Sequence, residues 1–471
     1  MNKSTIQPRR VRGFAFIAVL LCVSTLSLFA DDQAAVVTLT QSVDQALANG
    51  PDLRLSAASL GAAQAQYDAA AAGNSFRLSG NGDLSHSAAG TTRSDYTTPN
   101  SPYDTADAGI SLSAPLSSSL SVTATHTLLE NSTLDQTTKL QLGAGTTVWD
   151  GYPGGSALAA VQQASLTQQV SQSTQDSNRK NIVYQVKQAY YTLLAQQRQL
   201  SILQQTLIQR QEEMTRTQAL YDADSASRID LKQAQINQTQ ASLDLRKAGN
   251  DLEIDRERLS ALVGWPIDRQ YSVAEVEDMP APAMDVVEAV KTALAQRADM
   301  KQTALNLAAG DISAALAKAR GSSVVKVNGS VGLNVDWRSP VSTNSGWGAG
   351  VSVNLPILDA GATAAAVKQA QLQNETLKIQ QEKLVADIST SVKNAIYSLR
   401  DLLSRAQLAQ AGLDLAQDQY DLARLQFDSG VTSNLDVLAA SVVFTTAQVN
   451  LAKAKSDAQL GVLALQSAMG N

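Results

Sequence analysis

Residues 427–440 read FDSGVTSNLDVLAA and sit late in a long Ala- and Gln-rich stretch of helical spacing. Asp428-Ser429-Gly430 followed by β-branched Val431 and Thr432 does not continue a helix. Glycine loses the most backbone entropy there, and branched side chains crowd the preceding turn. The helical pattern resumes at once, so the break reads as a reversal between two helices, with Gly430 making the turn. The same pattern stands 206 positions earlier, 221 against 427, as YDADSASRIDLKQA. Tyr221 pairs with Phe427, Asp230 with Asp436 and Ala234 with Ala440. Asp224 replaces Gly430 in this copy, and aspartate tolerates the left-handed backbone of a tight turn better than most residues.

Outward from the two turns, the offset of 206 persists. VQQA at 161–164 matches VKQA at 367–370, VKQAYYTLL at 186–194 matches VKNAIYSLR at 392–400, and Gly264 matches Gly470. Nearer the start of each copy the offset is 247: ALANGPDLRLSAASLGAA at 46–63 lines up with ALAQRADMKQTALNLAAG at 293–310. The change from 247 to 206 means about 41 additional residues in the first copy, all between positions 82 and 161. The chain thus divides into a first repeat, 31–266, a linker, 267–284, in the proline-rich segment GWPIDRQYSVAEVEDMPAPA, and a second repeat, 285–471.

Each repeat has three parts. A helix comes first, near 41–73 and 285–320; Asp285 with Glu288 has capping-box spacing. Strands follow, 76–149 and 324–358. In the second repeat Val325, Val327, Val331, Leu333, Val335 and Trp337 occupy alternate positions, then Trp347, Ala349, Val351, Val353, Leu355 and Ile357. That predicts two strands, against four in the first repeat, so the additional residues suit one more hairpin. Long helical hairpins close each repeat, 155–262 and 361–469. At 1.5 Å per residue, the sixty-odd residues before each reversal make a rod of roughly 100 Å. Val183, Val186, Tyr190, Leu193 and Leu194 give that rod an apolar stripe that must pack on other helices.

Strands of about ten to twelve residues with alternating faces suit a membrane β-barrel. Lipid permits no open sheet edge, and so few strands close no useful pore, so the edges must pair with those of other copies in a cyclic oligomer. Trp149, Tyr152, Trp337 and Trp347 are expected at strand ends, where an interfacial girdle would sit.

Composition narrows the function. Aromatics are only 4% of 471 residues, which favours long helices packed through small side chains over a bulky core. The net charge is -6 with no basic block, so no nucleic acid is expected as partner. Residues 1–30 read as a secretory signal: four cations, a short apolar run, and a cleavage position after Ala30. Cys22, the one cysteine, lies within it, either cut away or, as the other reading of VLLC, lipidated. No later stretch approaches about 18 uninterrupted apolar residues, so no transmembrane helix is expected. His86 and His126 lack metal-ligand spacing, and neither a phosphate-binding loop nor a nucleophile elbow occurs. No enzyme activity and no cofactor are expected.

The signal, the tandem duplication, the order helix–strands–long hairpin, and the turn Y/F-x-x-G-x-x-S-x-x-D-V/L-L-x-A together resemble the TolC-type outer membrane efflux proteins over about 38–471. The resemblance implies a mainly α protein with a β-barrel part. Long coiled-coil helical hairpins would form an α-barrel, and strands would contribute to a shared trimeric transmembrane β-barrel. It implies a homotrimer in outer membrane lipid that extends into the periplasm and exports through a periplasmic adaptor and an inner-membrane pump. Such proteins usually have four strands per chain, so six departs from the pattern; four against six stays open. The competing reading is a periplasmic coiled-coil adaptor or scaffold without a pore, but an adaptor would have one hairpin rather than two tandem copies.

By the same resemblance, Asp230 and Asp436 sit at the periplasmic aperture, where a ring of carboxylates would repel one another, raise their pKa values and favour cations. Each also suits the first turn of a helix through its dipole. One member of that family has a second acid where this chain has Ala439 and an Arg in its second turn where this chain has Thr432, so Arg228 or Lys232 is left as a latch to Asp230. The turns themselves (Tyr221, Asp224 and Ser227, then Phe427, Gly430, Val431, Thr432 and Ser433) are the expected docking points for an adaptor.

Overall fold

The computed structural model describes residues 35–87, 103–114, 118–129, 135–277, 279–280, 285–337, 340–429 and 431–470. The signal segment with Cys22, and the turn residue Gly430, lie outside the described residues. In the first repeat, β1 (Ala35–Val37) precedes α1 (Leu39–Asn49) and α2 (Pro51–Gly73). Four strands follow: β2 (Arg77–Ser87), β3 (Tyr103–Ala114), β4 (Ser118–Leu129) and β5 (Asp135–Trp149). A hairpin of α3 (Ser156–Asp222) and α4 (Arg228–Val263) completes it. Then come β6 (Tyr271–Val273), α5 (Val286–Gln296), α6 (Ala298–Ala319), β7 (Val324–Asp336), β8 (Ser342–Asn354), α7 (Ala362–Asp428) and α8 (Asn434–Ala468).

The duplication is visible element by element. Shifted back by 206, the ends of α7 are Ser156 and Asp222, the ends of α3; shifted back by 247, the ends of α5 are those of α1. The single first helix expected in each repeat is in fact two. Pro51 has no N–H to continue the ladder, and Gly50 takes an extended ψ of 129°. In the second repeat Arg297 does the same with ψ 132°, its guanidinium holding Asp299 and donating to Ala468 O at 3.0 Å. Asp285 is the N-cap of α5, but its carboxylate takes no cap hydrogen bond. A reciprocal box forms at Thr38 and Gln41 instead.

Two cores stabilise the helical half. Val186, Tyr190, Leu193, Leu259 and Val263 pack with Ala46 of α1 and with the short parallel pair β1–β6. Val392, Ile396, Leu399, Leu465 and Met469, their counterparts at the 206 offset, pack with Ala293 of α5. Part of the expected linker is therefore structural: Tyr271 is buried in β6 and its hydroxyl donates to Arg256 O at 2.8 Å. The short length of β1 and β6, three residues each, hid them from periodicity.

One six-stranded antiparallel sheet has the order β2-β3-β4-β5-β7-β8 and does not close. Its register separates two faces. One row crosses all six strands as Gly80, Ile110, Val122, Leu142, Val331 and Trp347, and the row beside it as Leu78, Leu112, Leu120, Ala144, Gly329 and Ala349. Between them, on the opposite face, run Ser79, Ser111, Ser121, Gly143, Ser330 and Gly348. The apolar face is uncovered, with Leu84 86% and Val351 66% exposed. Trp149 ends β5 on the helix side, and Trp337 follows β7 at the opposite edge, where its Nε1 donates to Thr138 Oγ1 at 2.8 Å. Trp347, expected at a strand end, lies mid-strand opposite Val331.

By length and composition alone, α8 from Leu435 to Ala468 is long and apolar enough to cross a membrane, although it holds no uninterrupted apolar run of about 18 residues. It packs along α7 as the return arm of the second hairpin.

Candidate functional site

The two reversals lie at the end of the long hairpins farthest from the sheet, since α3 and α7 both start beside the strands and run 67 residues to the turn. Their backbones are built alike. Ser225 N–H donates to Leu220 O at 2.8 Å, and at the 206 offset Val431 N–H donates to Gln426 O at 2.9 Å. These bonds span the last turn of the helix and satisfy carbonyls that the helix leaves free. Asp224 occupies the left-handed region with φ 53°, as the substitution for glycine requires.

Each turn hands over to a capped helix. Ser227 Oγ accepts from Asp230 N–H at 3.2 Å, while Asp230 accepts from Ser227 N–H at 3.1 Å and from its hydroxyl at 2.7 Å. Asp436 accepts from Ser433 N–H at 3.2 Å, Ser433 Oγ at 2.8 Å and Thr432 Oγ1 at 2.5 Å. Hydrogen bonds from the Ser227 side chain and backbone hold Asp230 below the ordinary 3.8. Those from Thr432 and then Ser433 do the same for Asp436. Thr432 thus ties Asp436 within its own turn.

Neither cation proposed as a latch reaches Asp230. Lys232 Nζ donates to Gln235 Oε1 at 3.0 Å, and Arg228 forms no ion pair among the described residues. The physical reason is helical geometry: Arg228 and Lys232 are two positions from Asp230 on the same helix and point to other faces. The contact that joins the two hairpins near the tip was not legible in the sequence. The Arg216 guanidinium of α3 lies over the Phe427 ring of α7, 5.3 Å from its centroid. The two residues belong to different repeats, so no local spacing announces them. Higher on the second hairpin, Tyr420 and Phe444 stack at 5.6 Å and fix α7 to α8. Tyr221, Asp224, Ser227, Val431 and Ser433 are exposed, Val431 by 76%. Among the described residues no group of His, Cys, Asp and Glu could hold a metal ion.

Long paired hairpins thus end in capped turns, and an amphipathic sheet stands at their other end. The outer membrane efflux protein family model matches residues 118–265 and 289–471, and the chain belongs to that family. It is 22% identical over 265 residues to nodulation protein T of Rhizobium leguminosarum bv. trifolii, covering 55% of this chain and 57% of that one. It is 24% identical over 298 residues to the probable efflux pump outer membrane protein TtgC of Pseudomonas putida, covering 62% and 61%. The match therefore spans about three fifths of the length of these curated relatives. The fold is that of the outer membrane protein VceC of Vibrio cholerae, with a TM-score of 0.71 over 92% of this chain and 96% of that one at 19% identity.

Proposed function

We propose that this chain is the outer membrane export duct of a tripartite efflux or type I secretion assembly. It acts as a passive conduit, gated at its periplasmic tip and supplied through an adaptor by an inner-membrane pump. The observation that carries this reading is the register of the sheet. Apolar rows continue across all six strands on one face and rows of polar residues and glycine on the other, with both edges unpaired. A sheet in water would bury that apolar face or break it with charges; a barrel wall turns it to lipid and the polar face to a lumen. A periplasmic adaptor has no use for such a face.

Closure comes from further copies, and a homotrimer is the reading adopted. Support lies in uncovered stripes of heptad spacing: Ile229, Ile236 and Leu243 on α4, and Leu408, Leu415 and Leu422 on α7, all more than half exposed. Seven-residue repeats of this kind seek a neighbouring helix. In the trimer Asp230 and Asp436 stand at the aperture, and Tyr221, Asp224, Ser227, Phe427, Gly430, Val431, Thr432 and Ser433 form the adaptor contacts. Residues 1–30 serve as the signal, and the repeats 31–266 and 285–471 flank the 267–284 segment.

Cell fractionation followed by native mass measurement tests the reading. An outer membrane species of three chains is the expected result; a soluble periplasmic monomer would overturn it.

A further inference from the structure

The first repeat carries two strands that the second lacks. Shifted back by 247, β7 begins at residue 77, the start of β2; shifted back by 206, β8 covers 136–148, inside β5. The strands with no counterpart in the second repeat are therefore β3 and β4. They do not lie outside the sheet. β3 pairs with β2 over eleven positions and β4 with β5 over eleven, so the inserted hairpin separates two strands that would otherwise be neighbours.

The insert also keeps the two-faced code of the strands it joins. Ala108, Ile110, Leu112, Leu120, Val122 and Ala124 continue the apolar face. Asp107, Ser111 and Ser113 of β3, with Ser119, Ser121 and Thr125 of β4, continue the polar one. A hairpin projecting into water beyond a membrane is under no pressure to hold a strict apolar row at the register of its neighbours. One inside a barrel wall is, because one residue of slip would turn every side chain to the wrong solvent.

We infer that this chain contributes six wall strands rather than four, and that its assembled barrel is correspondingly wide. This rests on the trimeric duct reading, under which six strands per copy close eighteen. For strands about 4.8 Å apart and tilted about 40°, that is a backbone radius of roughly 18 Å, against roughly 12 Å for twelve. On the lumen face the row Ser79, Ser111, Ser121, Gly143, Ser330 and Gly348 is small, while the row Asp83, Asp107, Thr125, Lys139, Asn334 and Asn344 is longer and charged. An exit of this size suits bulky amphiphiles or a polypeptide in transit.

Adjacent residues of β4 provide the test. In the full chain within outer membranes, Ser121→Cys faces the lumen and Val122→Cys faces lipid. A charged, membrane-impermeant maleimide should label Ser121→Cys at least about tenfold faster, because it must leave water to reach a lipid-facing thiol. Equal labelling would place the hairpin outside the wall, and failure of both to label until denaturation would remove the open lumen; either result overturns the inference. Electron cryomicroscopy of the purified oligomer counts the strands directly, with twelve as the refuting number. Fractionation of the same membranes separates the two readings. Absence from the outer membrane defeats the duct, whereas presence with equal labelling defeats only the six-strand wall.

Discussion

At the scale of single residues, Asp230 and Asp436 do one structural job twice and are offered for a second. Both cap a helix through bonds from the serine three positions earlier. Those bonds depress both carboxylates, so the caps are complete above the ordinary 3.8 and are lost only as pH falls through the lower folded values. Amide exchange over 227–231 and 433–437, corrected for intrinsic rates, should accordingly stay constant from about pH 5 to 8. Loosening near pH 6 would instead reveal the mutual repulsion of a tight carboxylate ring. As an ion filter, Asp436→Ala should weaken block of single-channel conductance by multivalent cations in planar bilayers, and unchanged block would remove Asp436 from that role. Arg216→Ala deletes the contact with Phe427 and should raise conductance of the isolated duct, with Arg216→Lys partly restoring the closed level. The acids were legible because duplication marks them. Arg216 was not, because its partner lies 211 positions away.

At the scale of elements, the junctions between sheet and helix are under tighter constraint than the rods. Gly151, just after β5, has φ 91°, and a Cβ there would stand 2.4 Å from Ala319 O at the end of α6. Gly151→Ala should cost more than about 1 kcal/mol and lower the yield of folded protein, read from heat-modifiable mobility in gels. Asp150 nearby accepts from Ser156 N–H at 2.6 Å and starts α3; Asp359 starts α7 by accepting from Thr363 N–H at 2.9 Å. Within the helical half, the Tyr190 hydroxyl reaches Val37 O at 3.0 Å and Ala274 O at 2.8 Å, joining α3 to both sides of the β1–β6 pair. Burial foremost, with carbonyl neighbours opposing it, pushes that phenol up to about 12, so it remains a donor at any physiological pH. Tyr190→Phe leaves a buried carbonyl short of a partner and should cost about 1–3 kcal/mol, seen as a lower melting temperature by circular dichroism. Helices and strands longer than ten residues were readable from period; β1 and β6 were not, and neither were the breaks at Gly50 and Arg297, where one backbone angle divides a continuous apolar pattern.

At the scale of the whole molecule, a single chain presents unfinished surfaces at both ends: two unpaired sheet edges and heptad stripes along α4 and α7. In the trimer proposed above, covering these surfaces would tie the chain's stability to its assembly. Substituting Leu408, Leu415 and Leu422 together by serine should convert the outer membrane oligomer to monomer in native mass spectra, while the hairpin keeps its helical circular dichroism. The sequence alone determined the duplication, the two tip turns, the helical rods and the alternating strands, because each is a local periodicity or a repetition that a linear string displays. Only the tertiary structure decided that all six strands share one sheet, that the insert lies inside it, and that Arg216 meets Phe427. Strand order and contacts between repeats are long-range pairings, and the free energy that selects them comes from side chains brought together across hundreds of residues, where periodicity carries no information.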